Sequence, residues 1–295
     1  MAGTDKRLKV LLTGGKGMLG RTLVKVLGCD YEVVPTDLPE ADITDEDCID
    51  RVLAEHSPDV VIHCAAMTAV DKCESERDLA FRLNARGTAN VAASCNRHGI
   101  RLIAISTDYV FEGDSTEPYD EFDIPTGGRT VYGQSKFAGE RAVESLCPNH
   151  VICRISWLYG SGGPSFVHTM LKLGAQAGDP LKVVNDQFGN PTSTDVVADV
   201  IRFLLTKPEV SGIVHGTCED QCSWYDFACE IKRLTPGFTR AVVPCTTAEF
   251  PRPAPRPRCS ALKKSVLNVL GYRTPTWQAA LAAFLASSAN GNTGR

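Results

Sequence analysis

Five short apolar runs recur through the first two-thirds of the chain: LKVLLT (8–13), YEVVPTD (31–37), DVVIHCAA (59–66), RLIAIST (101–107) and HVICRIS (150–156). Their hydrophobicity is continuous rather than alternating, which marks strands covered on both faces. Between them lie amphipathic stretches near 17–27, 45–56, 75–97 and 131–146, so the repeating unit is strand then helix. That rhythm predicts a doubly wound α/β fold on a parallel sheet. Thr44 is placed to cap the second helix, ahead of Asp45, Glu46 and Asp47 in an acidic first turn.

After about residue 160 the rhythm loosens at Gly160-Ser161-Gly162-Gly163-Pro164. Helices are expected near 164–176, 194–206, 223–234 and 275–287, with short strands near 181–185, 212–217 and 241–244. The stretch FPRPAPRPR (250–258) can be neither helix nor inner strand. Residues 289–295 read as a disordered tail.

Composition excludes several classes. With 295 residues, 43% hydrophobic and 22% charged, the chain is an ordinary globular one. A net charge of -4 gives no electrostatic case for nucleic acid or a membrane surface. No apolar run reaches the roughly 18 residues of a membrane helix, and MAGTDKRLKV holds no leader-like apolar region, so a cytoplasmic protein is expected. The twelve cysteines are scattered without a CxxC pair. His215, Cys218 and Cys222 come nearest to a ligand cluster but lack a second pair, so structural thiols and no metal are expected.

The turn Thr13-Gly14-Gly15-Lys16-Gly17-Met18-Leu19-Gly20 joins the first strand to the first helix. Its glycines fit G-x-G-x-x-G and a spaced variant, which let backbone approach a pyrophosphate seated on a helix N-terminus. Asp37 closes the second strand 17 residues beyond Gly20, where a carboxylate can accept ribose hydroxyls. A carboxylate there points toward NADH, whereas Lys16 and Arg21 can offset its repulsion of a 2′-phosphate. NADH and NADPH both stay open. Asp42-Ile43 follows either as an adenine clamp or, for Asp42, as turn chemistry. Residues 64–68, Cys-Ala-Ala-Met-Thr, end the third strand with small side chains that either admit a cofactor or merely close an apolar strand.

Tyr132 and Lys136 stand four residues apart, on one helical face. The ammonium can favour ionisation of the phenol, whose free pKa is about 10. Beside a dinucleotide turn, such a phenol suits proton transfer coupled to hydride transfer. The alternative is a solvated chance pair.

These residues together resemble the extended short-chain dehydrogenase/reductases and, more closely, the dTDP-4-dehydrorhamnose reductase family. The resemblance spans nearly all of 7–288 and rests on HCAAMTAVDKCE (63–74), STDYVFEG (106–113), VYGQSK (131–136), RISWLYG (154–160), NDQFGNPT (185–192) and RPRCSAL (256–262). It implies a Rossmann-like domain over 1–160 and a small α/β substrate lobe over 161–288, with some elements returning to the main sheet. It implies Thr107, Tyr132 and Lys136 as the catalytic set. Gly14, Gly17, Met18, Leu19, Asp37, Asp42, Ile43, Ala65, Ala66 and Thr68 would line the cofactor, together with Tyr132 and Lys136. Thr107, Trp157 and Arg256 would meet the nucleotide-sugar. Core packing is the alternative for Trp157. A solvated basic face is the alternative for the cluster Arg252, Arg256, Arg258, Lys263 and Lys264. A homodimer and a magnesium ion stay open.

Two places depart from the family pattern: Gly127-Gly128-Arg129-Thr130 and Ser165 stand where the family usually or often has asparagine. Rival readings are a nucleotide-sugar epimerase or dehydratase and a non-catalytic subunit similar to the regulatory subunit of methionine adenosyltransferase. No Asp-Glu pair follows Thr107, which favours simple reduction over dehydration.

Overall fold

A computed structural model of the chain describes residues 7–291. In chain order the first elements are β1 (Lys9–Thr13), α1 (Met18–Leu27), β2 (Glu32–Thr36), α2 (Glu46–His56) and β3 (Val60–His63). Then come α3 (Val70–Ser75), α4 (Arg77–Phe81), α5 (Thr88–Arg97), β4 (Arg101–Thr107), α6 (Val131–Leu146) and β5 (His150–Ile155). The remainder holds β6 (Leu158–Tyr159), α7 (Phe166–Gly174), β7 (Leu181–Val184), β8 (Phe188–Gly189), β9 (Thr192–Ser193) and α8 (Thr194–Leu205). It closes with β10 (Gly212–His215), β11 (Cys222–Ser223), α9 (Trp224–Leu234), β12 (Val242–Cys245), α10 (Ser265–Val269) and α11 (Trp277–Gly291).

Six parallel strands build the main sheet in the order β10-β5-β4-β3-β1-β2. Alternate residues of β1 face opposite cores, as the pleat requires. Val10 and Leu12 pack with Leu23 of α1 and Val197, Ile201 and Leu204 of α8. Leu11 packs on the other face with Ile49, Leu53, Val91 and Val143, from α2, α5 and α6. The chain leaves β1 one way for β2 and the other way for β3, so a crevice opens between their carboxyl ends. The glycine turn and residues 64–68 both lie at that crevice. A separate core gathers Val167, Leu181, Phe227, Ile231, Trp277 and Phe284.

Several local expectations are corrected. Asp45, not Thr44, caps α2, accepting from the Cys48 backbone N–H at 3.1 Å. The helix expected over 75–97 is broken into α3, α4, a π-helical stretch Arg82–Gly87 and α5. The π stretch aims Asn84 at Met67, whose N–H and C=O it pairs at 2.7 and 3.0 Å. Helix α11 runs to Gly291, so 289–291 are helical where a disordered tail was expected. The rest of that tail, 292–295, and residues 1–6, on which the expectation of no leader fell, lie outside the described residues. No described helix is long and apolar enough to cross a membrane.

Ser165 caps α7, its Oγ accepting from the His168 N–H at 3.4 Å. Serine and asparagine are comparable caps, so this departure from the family pattern keeps the helix start. Gly128 (φ +65°) is a different case: a Cβ there would lie 2.2 Å from the Tyr109 carbonyl oxygen.

Candidate active site

The glycine turn is built for close approach. Gly14 sits at φ +72°, and a Cβ on it would come 2.7 Å from the Ala65 nitrogen. A Cβ on Gly20 would come 2.3 Å from the Gly14 carbonyl oxygen. Helix α1 starts with no side-chain cap at Gly17, which leaves its first N–H groups for an anion. This cradle fits the pyrophosphate of a dinucleotide. Gly20→Ala is expected to weaken NAD(P)H binding by about fivefold or more, since overpacking of this kind costs about 1–3 kcal/mol. Fluorescence titration checks it, and affinity within twofold of wild type would show that the turn tolerates the methyl.

A cavity of about 440 Å³ brings together Gly14, Gly17, Met18, Leu19, Ala66, Thr68, Thr107, Tyr132, Lys136 and Trp157. Asp37, Asp42, Ile43, Ala65 and Arg256 do not line it. The Asp37 carboxylate accepts from the Lys16 and Leu38 backbone N–H groups at 3.0 and 2.9 Å. Lys16 Nζ is drawn to the Leu38 carbonyl at 2.8 Å and to Glu40 at 3.8 Å. Asp42 does the turn chemistry, accepting from the Thr44 N–H and hydroxyl at 2.9 and 2.8 Å. Ile43 is buried in the core under Gly87, and Ala65 presents backbone to Gly14.

Thr130 caps α6 through a 2.9 Å bond from the Gly133 N–H, which sets the helix that carries Tyr132 and Lys136. The expected acidification of the phenol is not found. Burial pushes Tyr132 well above the usual phenol range, and a hydrogen bond with Thr107 only partly opposes it. Lys136 instead donates to the Ile105 carbonyl at 2.7 Å, and burial lowers its own pKa to about 8 against the pull of Glu140. The cost of desolvating a phenolate decides the sign.

Beneath Lys136 lies a buried ionic group. Glu140 accepts from Arg154 Nε and NH2 at 2.9 and 2.7 Å and from Ser106 Oγ at 2.5 Å. His63, between Thr13 and Thr88, is held neutral, its pKa lowered to about 3 by burial and by Lys136. On the cavity side, Thr107 Oγ1 donates to Asp108 Oδ1 at 2.9 Å, and Ser260 Oγ donates to Asp108 Oδ2 at 2.5 Å.

A second cavity of about 680 Å³ is lined by Phe166, Met170, Gln187, Arg252 and Arg256 and shares Tyr109 and Trp224 with the first. Arg256 is steered by Asp71, with NH2 to Oδ2 at 3.0 Å. Of the basic cluster, Arg252 and Arg256 face this cavity. Lys263 pairs with Asp120 at 3.4 Å and Lys264 with Glu219 at 3.2 Å. Trp157 holds φ at +44°, rare for a bulky side chain, and stacks on Trp224 with centroids 3.5 Å apart and planes 5° apart. A strained residue at a cavity wall points to function.

Sequence reasoning gave no role to Tyr109, Asp108, Trp224, Glu140 or Arg154. Tyr109 and Asp108 lay within STDYVFEG, but Trp224 follows no motif and reaches the site only through the packing of α9. Among the described residues no group of His, Cys, Asp and Glu side chains could hold a metal ion, so the magnesium ion gains no support.

Comparison with known proteins agrees with this architecture. Residues 8–290 match the model of the RmlD substrate binding domain. A dTDP-4-dehydrorhamnose reductase of Streptomyces griseus is 43% identical over 93% of this chain and 92% of its own length. The crystal structure of a dTDP-4-dehydrorhamnose reductase from Clostridium acetobutylicum superposes with a TM-score of 0.91 at 46% identity, covering 95% of this chain and 99% of that one. That of the Bacillus anthracis reductase, in complex with NADP, gives 0.92 at 38% identity over 95% and 99%. The chain, with its glycine cradle, its Tyr-Lys helix and matches over nearly its whole length, belongs to the dTDP-4-dehydrorhamnose reductase family, that of the RmlD substrate binding domain.

Proposed function

We propose that this protein reduces the C4 keto group of dTDP-4-dehydro-L-rhamnose to give dTDP-L-rhamnose, using NADPH or NADH. The observation that carries the reading is the convergence of Thr107, Tyr132 and Lys136 with the glycine turn on one cavity that adjoins a second holding Arg252 and Arg256.

Gly14, Gly17 and the first N–H groups of α1 would hold the pyrophosphate, and Ala66, Thr68 and Lys136 the nicotinamide ribose. Asp37 would receive the adenosine ribose. The reduced nicotinamide, when bound, supplies hydride to the carbonyl carbon. Tyr132 delivers the proton to the oxygen. A reduction needs its acid loaded, and burial keeps the Tyr132 phenol protonated at neutral pH. An alkoxide is a stronger base than a phenolate, so the proton still moves downhill. Thr107 faces the same oxygen and stabilises its growing charge. Trp157 offers an aromatic wall to the sugar. Arg252 and Arg256 suit the diphosphate, for which planar guanidinium donors are apt.

The test couples the purified protein to enzymatically made dTDP-4-keto-L-rhamnose and follows absorbance of the reduced nicotinamide. Substrate-dependent oxidation of NADPH or NADH is expected. Absence of turnover with both coenzymes would remove the reading and favour the regulatory-subunit alternative. Tightly bound NAD⁺ regenerated during turnover would favour an epimerase.

A further inference from the structure

We propose that Asp108 and Ser260 are positioning residues that decide which way Thr107 points its single hydroxyl hydrogen. The inference rests on the reductase reading above and sharpens the part Thr107 plays in it.

A hydroxyl has one hydrogen and two lone pairs. Thr107 Oγ1 accepts from the Tyr109 backbone N–H at 3.2 Å and donates to Asp108 Oδ1 at 2.9 Å. With Asp108 ionised, the hydrogen is committed to the carboxylate, and what remains toward the cavity is a lone pair that can only accept, from the Tyr132 hydroxyl with which Thr107 also hydrogen-bonds. A substrate carbonyl oxygen also presents lone pairs, so the two repel. With Asp108 neutral, its own proton sits on Oδ1 and is donated to Thr107. Both Thr107 lone pairs are then occupied, by Tyr109 N–H and by Asp108, and the hydrogen turns into the cavity, toward the Tyr132 hydroxyl that Thr107 also bonds and the substrate oxygen that this hydroxyl serves. Ser260 donates to Oδ2 at 2.5 Å in either state and so keeps Oδ1 turned to Thr107.

The neutral form is within reach. Asp108 is 2% exposed, and burial raises its pKa to about 6 even though the Ser260 and Thr107 hydrogen bonds pull the other way. The titratable groups around it do not restore the charge. Tyr109 on its own turn and Tyr132 on α6 are held neutral by burial. Arg256 is engaged by Asp71 of α3, and Lys136 donates to the Ile105 carbonyl. Among the described residues, no lysine or arginine forms an ion pair with Asp108. Ser260 lies just beyond Arg256, so the segment that lines the second cavity also bears on the catalytic threonine.

Two measurements decide it. In the full-length protein with aspartate labelled at the carboxyl carbon, NMR titration is expected to show one carboxyl with a midpoint near about 6, absent in Asp108→Asn. In Ser260→Ala the midpoint is expected to rise by about half a unit or more, because a donor to the carboxylate is gone. In steady state, wild-type kcat is expected to fall several-fold as pH climbs through that midpoint, with KM little changed. Asp108→Asn is expected to lose this dependence whatever its absolute rate, because its amide N–H₂ donates to Thr107 at every pH. An Asp108 carboxyl titrating near its ordinary 3.8, or a kcat inflection that persists in Asp108→Asn, overturns the inference. If the wild type does not turn over the sugar, the reductase reading fails, while the carboxyl titration and its response to Ser260→Ala still decide the direction of the hydrogen.

Discussion

Tyr132→Phe is expected to lower kcat by about 10²–10⁴-fold, the usual contribution of a positioned general acid, while leaving coenzyme affinity within about twofold. The ring is buried and meets Tyr109 edge to face, with centroids 5.6 Å apart, so phenylalanine keeps the packing and removes only the proton donor. The glycine cradle lies on other elements and is untouched. Steady-state kinetics with the keto-sugar, beside a coenzyme fluorescence titration, separate the two effects. Full turnover by the variant would remove Tyr132 as the acid. A matching loss of coenzyme binding would move its role from chemistry to binding.

Glu140→Ala should be the most destabilising substitution near the site. Arg154 is fully buried, and Glu140 takes two of its donors at 2.9 and 2.7 Å. Its guanidinium lies over the Phe111 ring at 5.0 Å, with no route to water. Removing the carboxylate strands a buried cation, which costs about 3–5 kcal/mol. At about 2–4 °C for each kcal/mol, the melting temperature should fall by roughly 6–20 °C. Changing both partners to methionine should recover much of the loss, because a buried pair is often worth little over apolar residues of similar size. Calorimetry decides the matter: a melting temperature within about 2 °C of wild type would show that water or another group reaches Arg154. Glu140 also holds the Lys136 pKa up, so its loss should push that lysine further below about 8.

Which features were legible in the chain follows from how far apart their partners lie. The inner strands of the main sheet were readable because each is a largely apolar run, and the glycine cradle because its glycines fall within eight consecutive residues. The Tyr132–Lys136 pair was readable because helical periodicity alone puts it on one face. The break of the 75–97 helix was not, since Asn84 is turned by Met67, a partner 17 residues away. Asp42 closes an Asx turn and Ile43 packs into the core, and both arrangements depend on where the chain goes next.

By itself, then, the amino-acid order determined the layered α/β scaffold, the glycine turn and the Tyr132–Lys136 pair, the last two legible from neighbours one or two turns away. Folding alone decided their electrical character. The phenol became less acidic rather than more because burial outweighs the Thr107 hydrogen bond, and Asp108 met Ser260 from 152 positions along the chain. Trp224 and Arg256 reached the cavities only through long-range packing. Desolvation and long-range pairing are properties of an enclosed volume, and a linear string has no inside.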